Sequence, residues 1–282
     1  MANIIPLAGL GLRFIEEGYD LPKPLIPVSG VPMIVQVIRH APPSDKWIFI
    51  VRQEHITNYK IDEIIKSEVP NAIIIAINQT TLGYANSCLL AQAYLDPEES
   101  LFISVCDGIN MYDKIKYQHL IDDLKIDCIV WTFTQLEKMK INPHFYGWVK
   151  LASDNQTITN VSIKVPVSNN PYNDHATTGV FYFRKAKDFI YTTGLMIEEK
   201  DVRKNEFYVD LVPLYLSRLN KKSVIFDVNQ FISWGTPQEM REYKYWESVL
   251  KDNEFSNEKE YNHKQYLFWK KYFDTENIIN NR

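Results

Sequence analysis

Five short apolar runs punctuate the first half of the chain: IIPLAG at 4–9, WIFIV at 47–51, AIIIAI at 72–77, LFISVC at 101–106 and CIVWTF at 128–133. Their apolar residues are continuous rather than alternating, which predicts strands covered by helices on both faces. Between them, 33–40, 57–67, 84–95 and 114–124 carry apolar residues at helical spacing. Strands alternating with helices in this way predict a wound α/β sheet.

After about residue 145 the texture changes. YGWVKLA, TITNVSIKV and TGVFYFR read as antiparallel strands joined by polar turns such as SDNQ. From 236, TPQEMREYKYWESVLKDN offers a threonine cap, a proline at the first helical position and Glu239 three residues after Thr236, so a helix is predicted to begin there. A second helix is predicted over 258–273. The tail aromatics Tyr245, Trp246, Tyr266, Phe268, Trp269 and Tyr272 are expected to pack a helix onto the domain or onto a second copy. The expected fold is therefore α/β: a Rossmann-like three-layer α/β/α domain over 1–236 with a mixed, mainly parallel central sheet, and a C-terminal helical extension over 237–282 packed on it.

Composition removes several function classes. With 45% hydrophobic and 23% charged residues, the 282-residue chain is expected to fold as an ordinary globular protein. Its net charge is −4 and its Lys and Arg are scattered, which argues against a nucleic-acid partner. No run approaches the roughly 20 apolar residues of a membrane helix, and the N-terminal run lacks a basic flank, so no membrane association is expected. Cys88, Cys106 and Cys128 are widely spaced and odd in number, which suits reduced core thiols and a cytoplasmic location rather than a disulfide framework or zinc site.

The first strand runs into LAGLGLRF. In open α/β sheets ligands sit beyond the carboxyl ends of the strands, and a glycine loop there lets backbone N–H groups approach phosphate. Gly9 and Gly11 suit that place. Phe14 stands where a dinucleotide fingerprint needs its third glycine, and no Walker GK pair follows. Two cations come instead: Arg13, and Lys23 held between Pro22 and Pro24 on a stiff segment, a suitable fixed charge for phosphate.

LAGLGLRF followed by KPLIPVSGVPMI resembles the signature of sugar-phosphate nucleotidylyltransferases of the glucose-1-phosphate thymidylyltransferase type, and further matches extend to about residue 240. The resemblance implies a nucleotide site formed by Leu7, Ala8, Gly9, Gly11, Arg13 and Lys23, with Gln79 reading the base and Gly83 packing against it. An amide suits a pyrimidine edge without ordering cytosine, uracil and thymine. Asp107, expected at the tip of the buried strand within FISVCDGIN, is implied as the Mg²⁺ ligand. Gly147 and Lys164 are implied at the acceptor and its phosphate, and Gly179 and Glu206 as further acceptor contacts. Arg13, Lys23, Asp107 and Lys164 are thus the expected catalytic set.

The chain also departs from that pattern. Ile163 replaces the glutamate before the acceptor lysine, Leu12 replaces a hydroxyl residue in the loop, and Tyr84 a threonine. Ser233, in QFISWGTP, stands where a second metal-binding Asp or Asn is usual, leaving water, the phosphates or Asp227 to complete the site. His144 and His175 are expected to be structural. The resemblance implies transfer of a nucleoside monophosphate from a nucleoside triphosphate to a phosphorylated acceptor with release of pyrophosphate. The family default is a sugar 1-phosphate, giving an activated precursor for surface polysaccharide. Two alternatives remain open: a cytidylyltransferase for a non-sugar phosphate or phosphonate, and a catalytically weakened binding homologue. A glycosyltransferase is disfavoured by CDGIN in place of a DxD motif. The aromatic tail leaves a homodimer open.

Overall fold

A computed structural model describes residues 1–251 and 263–280. Four strands form the parallel half of a nine-stranded sheet, in spatial order Ile73–Ile77, Lys46–Arg52, Ala2–Pro6 and Leu101–Ile103. All four fall on the predicted apolar runs. His175–Phe183 then pairs antiparallel with Leu101–Ile103 and also with Cys128–Phe133, the latter ladder interrupted by a register shift between Thr177 and Phe181. Its first residues reach Gly147–Leu151, which is bordered by Ile158–Ile163; Ser223–Asp227 runs parallel to Cys128–Phe133. The sheet is therefore mixed, as expected, and carries helices.

This topology fixes where the loops meet. Ala2–Pro6 and Leu101–Ile103 are parallel neighbours with Ile4 opposite Ile103, so the loop after residue 6 and the segment ending in Asp107 emerge on the same side. A separate ribbon pairs Gly108–Met111 with Gln230–Ser233, placing Ser233 opposite Gly108, and the Trp234 N–H donates to the Asp107 carbonyl at 2.8 Å. Asp107 and Ser233 are thus neighbours despite their separation in sequence.

The helical expectations need adjustment. Met33–His40 and Lys114–Asp122 match, whereas 57–67 is split into Gln53–Tyr59 and Ile61–Glu68 by Lys60, which takes a left-handed conformation at φ 53°. The helix placed at 84–95 stops at Leu89, followed by a 3₁₀ turn at Gln92–Tyr94. Ala186–Glu198 forms a helix that sequence periodicity does not announce. Its Thr192–Thr193–Gly194 centre has poor intrinsic propensity, and burial of Phe189 and Met196 overrides it.

The capped helix is Pro237–Lys251, with the Glu239 N–H donating to Thr236 Oγ1 at 3.2 Å. The second tail helix is described over His263–Asn280; positions 258–262 of the expected helix lie outside the described residues. Tyr243, Trp246, Trp269, Tyr272 and Phe273 join a cluster with Ile5, Phe14, Met33 and Phe49, so the tail is built into the core of the N-terminal half. Each such side chain contributes roughly 1.5–3 kcal/mol by leaving water. Cys88 and Cys128 are buried and all three thiols are free. Among the described residues no helix is long and apolar enough to cross a membrane.

Candidate active site

The loop after the first strand begins by extending the sheet, the Leu7 N–H donating to the Ile50 carbonyl at 2.9 Å. Leu7 and Ala8 are buried behind the loop, while Gly9 is exposed. Gly11 has φ 65°, a conformation that costs an L side chain about 1–2 kcal/mol, and it caps the short helix Leu12–Glu16. A Cβ at Gly11 would also sit 3.3 Å from the Lys23 Cβ. The loop and the Lys23 segment thus touch where a glycine is required.

Lys23 opens a 3₁₀ turn, Lys23–Leu25, behind Pro22 at φ −53°. Its ammonium lies 5.6 Å from the centre of the Phe14 ring, donates to the Gly235 carbonyl at 3.1 Å and forms an ion pair with Asp107. The pair expected to divide between phosphate and metal is therefore closed on itself. Arg13 projects from the Leu12–Glu16 helix into the same cleft, which has a volume of about 390 Å³.

Gly147, Lys164, Gly179 and Glu206 line the same cleft, so the structure gathers the expected acceptor residues with Arg13 and Asp107. Lys164 adopts φ 63°, and its ammonium donates to the Phe145 carbonyl. Burial lowers the Lys164 pKa, and Asp210 and Glu206 pull it back up. Gly83 is not free to meet a base in this conformation. At φ 102° it lies against residues 206 and 207, where a Cβ would come within 2.8 Å of the Glu206 Cβ and the Phe207 nitrogen. Backbone bonds from Phe207 N–H to Leu82 and from Ala85 N–H to Phe207 lock the segment there. Gln79 is exposed and lies outside the residues lining the cleft.

Asp227 does not complete a metal site. It accepts from Thr132 at 2.7 Å and pairs with His175 Nδ1 at 2.9 Å, outside the cleft lining. Burial pushes its carboxyl up, but the His175 and Thr132 hydrogen bonds prevail and hold it below its ordinary value. His175 is thus a hydrogen-bonding residue, as is His144, whose Nδ1 lies 2.9 Å from the Lys164 carbonyl.

Glu239, unmarked by sequence except as a helix-capping residue, occupies the position that Asp227 does not. A Cβ built on Gly235 would lie 3.3 Å from Asp107 Oδ2, 3.3 Å from Ser233 Oγ and 3.4 Å from Glu239 Oε2. Three oxygens thus gather about Gly235, with the Lys23 ammonium on the Asp107 oxygen and on the Gly235 carbonyl; when that ammonium moves away they form a donor set suited to a hard cation such as Mg²⁺. Glu239 is steadied by Thr236 at 3.1 Å and by Lys138 at 3.2 Å.

Asp210 is the second residue that sequence reasoning passed over. It is buried beside Gly147 and accepts from the Thr177 hydroxyl. A charged residue inside the apolar run FYVDLV was the available signal.

A family model described as nucleotidyl transferase matches residues 2–258. The solved nucleoside-diphosphate-sugar pyrophosphorylase from Vibrio cholerae RC9 is similar, with TM-score 0.69 and 18% identity over 86% of this chain and 98% of that one. The inositol-1-phosphate CTP transferase from T. maritima has TM-score 0.64 and 15% identity, over 86% and 93% of the two chains. A UDP-glucose pyrophosphorylase complexed with UDP-glucose has TM-score 0.65 and 15% identity, over 88% and 98%. At such identities the likeness is one of fold. No curated protein matches by sequence.

Proposed function

The chain belongs to the nucleotidyl transferase family, and on that premise we infer that it transfers a nucleoside monophosphate from a nucleoside triphosphate to a phosphorylated small molecule, releasing pyrophosphate. The observation carrying this reading is the placement of Arg13, Asp107 and Lys164 in one cleft, with Lys23 beside Asp107. In the proposed reaction an oxygen of the acceptor phosphate attacks the α-phosphorus in line. The bond from that phosphorus to the bridging oxygen breaks, and pyrophosphate leaves with the electron pair. The nucleophile is already ionised near neutral pH, so the protein supplies position and charge rather than a general base.

Arg13 and Lys23 bind the triphosphate, with Lys23 exchanging its carboxylate partner for phosphate oxygens. Lys164 holds the acceptor phosphate. Leu7, Ala8, Gly9 and Gly11 form the backbone crook, and Gly147, Gly179 and Glu206 serve the acceptor; Gln79 would read the base from outside the cleft lining, and Gly83 would meet it only once its contact with residues 206 and 207 opens. Asp107, Ser233 and Glu239 would hold Mg²⁺, which supplies charge neutralisation between phosphates when bound. Residues 1–236 would act as the transferase unit and 237–282 as its packed extension, in the cytoplasm. A sugar 1-phosphate acceptor would make the product a precursor for surface polysaccharide.

Ile163, in place of a carboxylate, favours a second reading, in which the acceptor is a non-sugar phosphate or phosphonate and the donor is CTP. The test incubates the protein with Mg²⁺, each common triphosphate and a panel of phosphates while pyrophosphate is measured. Release that depends on both substrates supports transfer. Tight nucleotide binding with no release for any pair would support a binding homologue instead.

A further inference from the structure

The cleft keeps opposite charges that no ion pair among the described residues joins. Lys23 is committed to Asp107 and Lys138 to Glu239, which leaves the cations Arg13 and Lys164 and the carboxylates Glu206 and Asp210 on its wall. A triphosphate and an acceptor phosphate each add negative charge. Lys164, Asp210 and Glu206 are close enough to interact electrostatically, yet no ion pair among the described residues joins the lysine to either carboxylate. Opposite charges held apart across a cleft leave room for a ligand that carries both signs.

Asp210 sharpens the point. It is 7% exposed, and its carboxylate accepts from the Thr177 hydroxyl and from its own backbone N–H. A buried carboxylate is costly unless further donors or a cation satisfy it. Burial pushes its carboxyl up, while Thr177 and Lys164 pull it back. Asp210 also packs so closely on Gly147 that a side chain there would collide with its carboxylate. In the adjoining strand Thr178 is 4% exposed, and its hydroxyl, which has no partner among the described residues, lies at the same wall. Tyr208, half-buried, adds an aromatic surface beside Glu206 and Asp210.

Resting on the transferase reading above, we propose that the acceptor is a zwitterionic phosphate ester: its phosphate meets Lys164 and a positively charged amino group meets Asp210 and Glu206. Asp210 then takes up the acceptor-selecting work that Ile163 cannot perform, approaching from the Val209–Leu211 turn instead of the Ile158–Ile163 strand.

The test uses pairs that differ in charge but hardly in shape: phosphocholine against 3,3-dimethylbutyl phosphate, and O-phosphoethanolamine against propyl phosphate, with glucose 1-phosphate as the neutral polyol. Calorimetry is run on the full chain with Mg²⁺ and each non-cleavable α,β-methylene triphosphate. The ammonium member of at least one pair is expected to bind about tenfold or more tighter than its neutral partner, as befits a charge-assisted contact. In Asp210→Asn, which can still accept from Thr177, that preference should collapse while nucleotide affinity stays the same. Glu206→Gln, at an exposed position, provides the same comparison if Asp210→Asn does not fold. Equal retention of charged and neutral members, strong or negligible, overturns the proposal, as does tighter binding of glucose 1-phosphate. Failure of every triphosphate to bind would instead sink the transferase reading.

Discussion

The ammonium of Lys23 and the carboxylate of Asp107, 84 residues apart in the chain, are paired where Asp107 lines the cleft, the lysine 14% and the aspartate 27% exposed. Each neutralises the other until a nucleotide offers phosphate to the lysine. Lys23→Met should therefore lower turnover on the order of 10²-fold or more, as expected for a charge acting in the transition state. The same variant, without nucleotide, should bind Mn²⁺ more tightly than the parent because Asp107 is released; electron paramagnetic resonance of free Mn²⁺ measures this. Unchanged turnover and unchanged Mn²⁺ affinity would remove Lys23 from the mechanism.

Glu239 accepts from the hydroxyl of the helix-capping Thr236 and faces the space beside Asp107 and Ser233. Glutamine keeps an acceptor for the Thr236 hydroxyl but loses the Lys138 ion pair, so Glu239→Gln should lower thermal stability only modestly. It should weaken Mn²⁺ binding by about tenfold, since one carboxylate is lost from a small donor set. Adding Ser233→Asp to that variant should restore Mn²⁺ affinity, because the two positions face the same point. Intact Mn²⁺ binding in Glu239→Gln would confine Glu239 to capping.

Gly11→Ala places a side chain on a left-handed residue and against Lys23. Chemical denaturation should show a loss of about 1–2 kcal/mol. The nucleotide KM should rise as well, because the Cβ displaces the lysine segment. A stability loss with an unchanged nucleotide KM would mean that this contact does not shape the nucleotide site.

Much of the fold was legible because buried strands show as unbroken apolar runs, and the four parallel strands all fall on such runs. The site was legible where a side chain's role follows from its local segment: Arg13, Lys23 and Asp107 sit beside a loop or strand tip recognisable in sequence. What was hidden depends on distant packing. Lys60 breaks a helix through a left-handed conformation that its own identity does not announce. Glu239 reads as a cap, and its approach to Asp107 exists only because the Gln230–Ser233 strand pairs with Gly108–Met111. Asp227 was one candidate to stand in beside Ser233, yet Thr132 on the adjacent strand and His175 on the strand beyond it already hold it.

Lys164 has a pKa lowered chiefly by burial. As pH rises it loses its proton before an ordinary lysine would at about 10.4, and with it the attraction for an acceptor phosphate. The acceptor KM should therefore climb with alkaline pH, starting below that value, while the nucleotide KM is little changed. Lys164→Arg, which keeps its charge, should flatten the climb. A KM that stays level to pH 10 in the parent protein would contradict a charged role for Lys164.

The most direct measurement follows ³¹P resonances of a mixture of Mg²⁺, nucleoside triphosphate, phosphorylated acceptor and protein. The account predicts that a phosphate monoester signal is replaced by a diphosphate diester while pyrophosphate appears in equal amount, and that none of this occurs when either substrate is omitted. Release of pyrophosphate without acceptor, or loss of only the terminal phosphate, would contradict it.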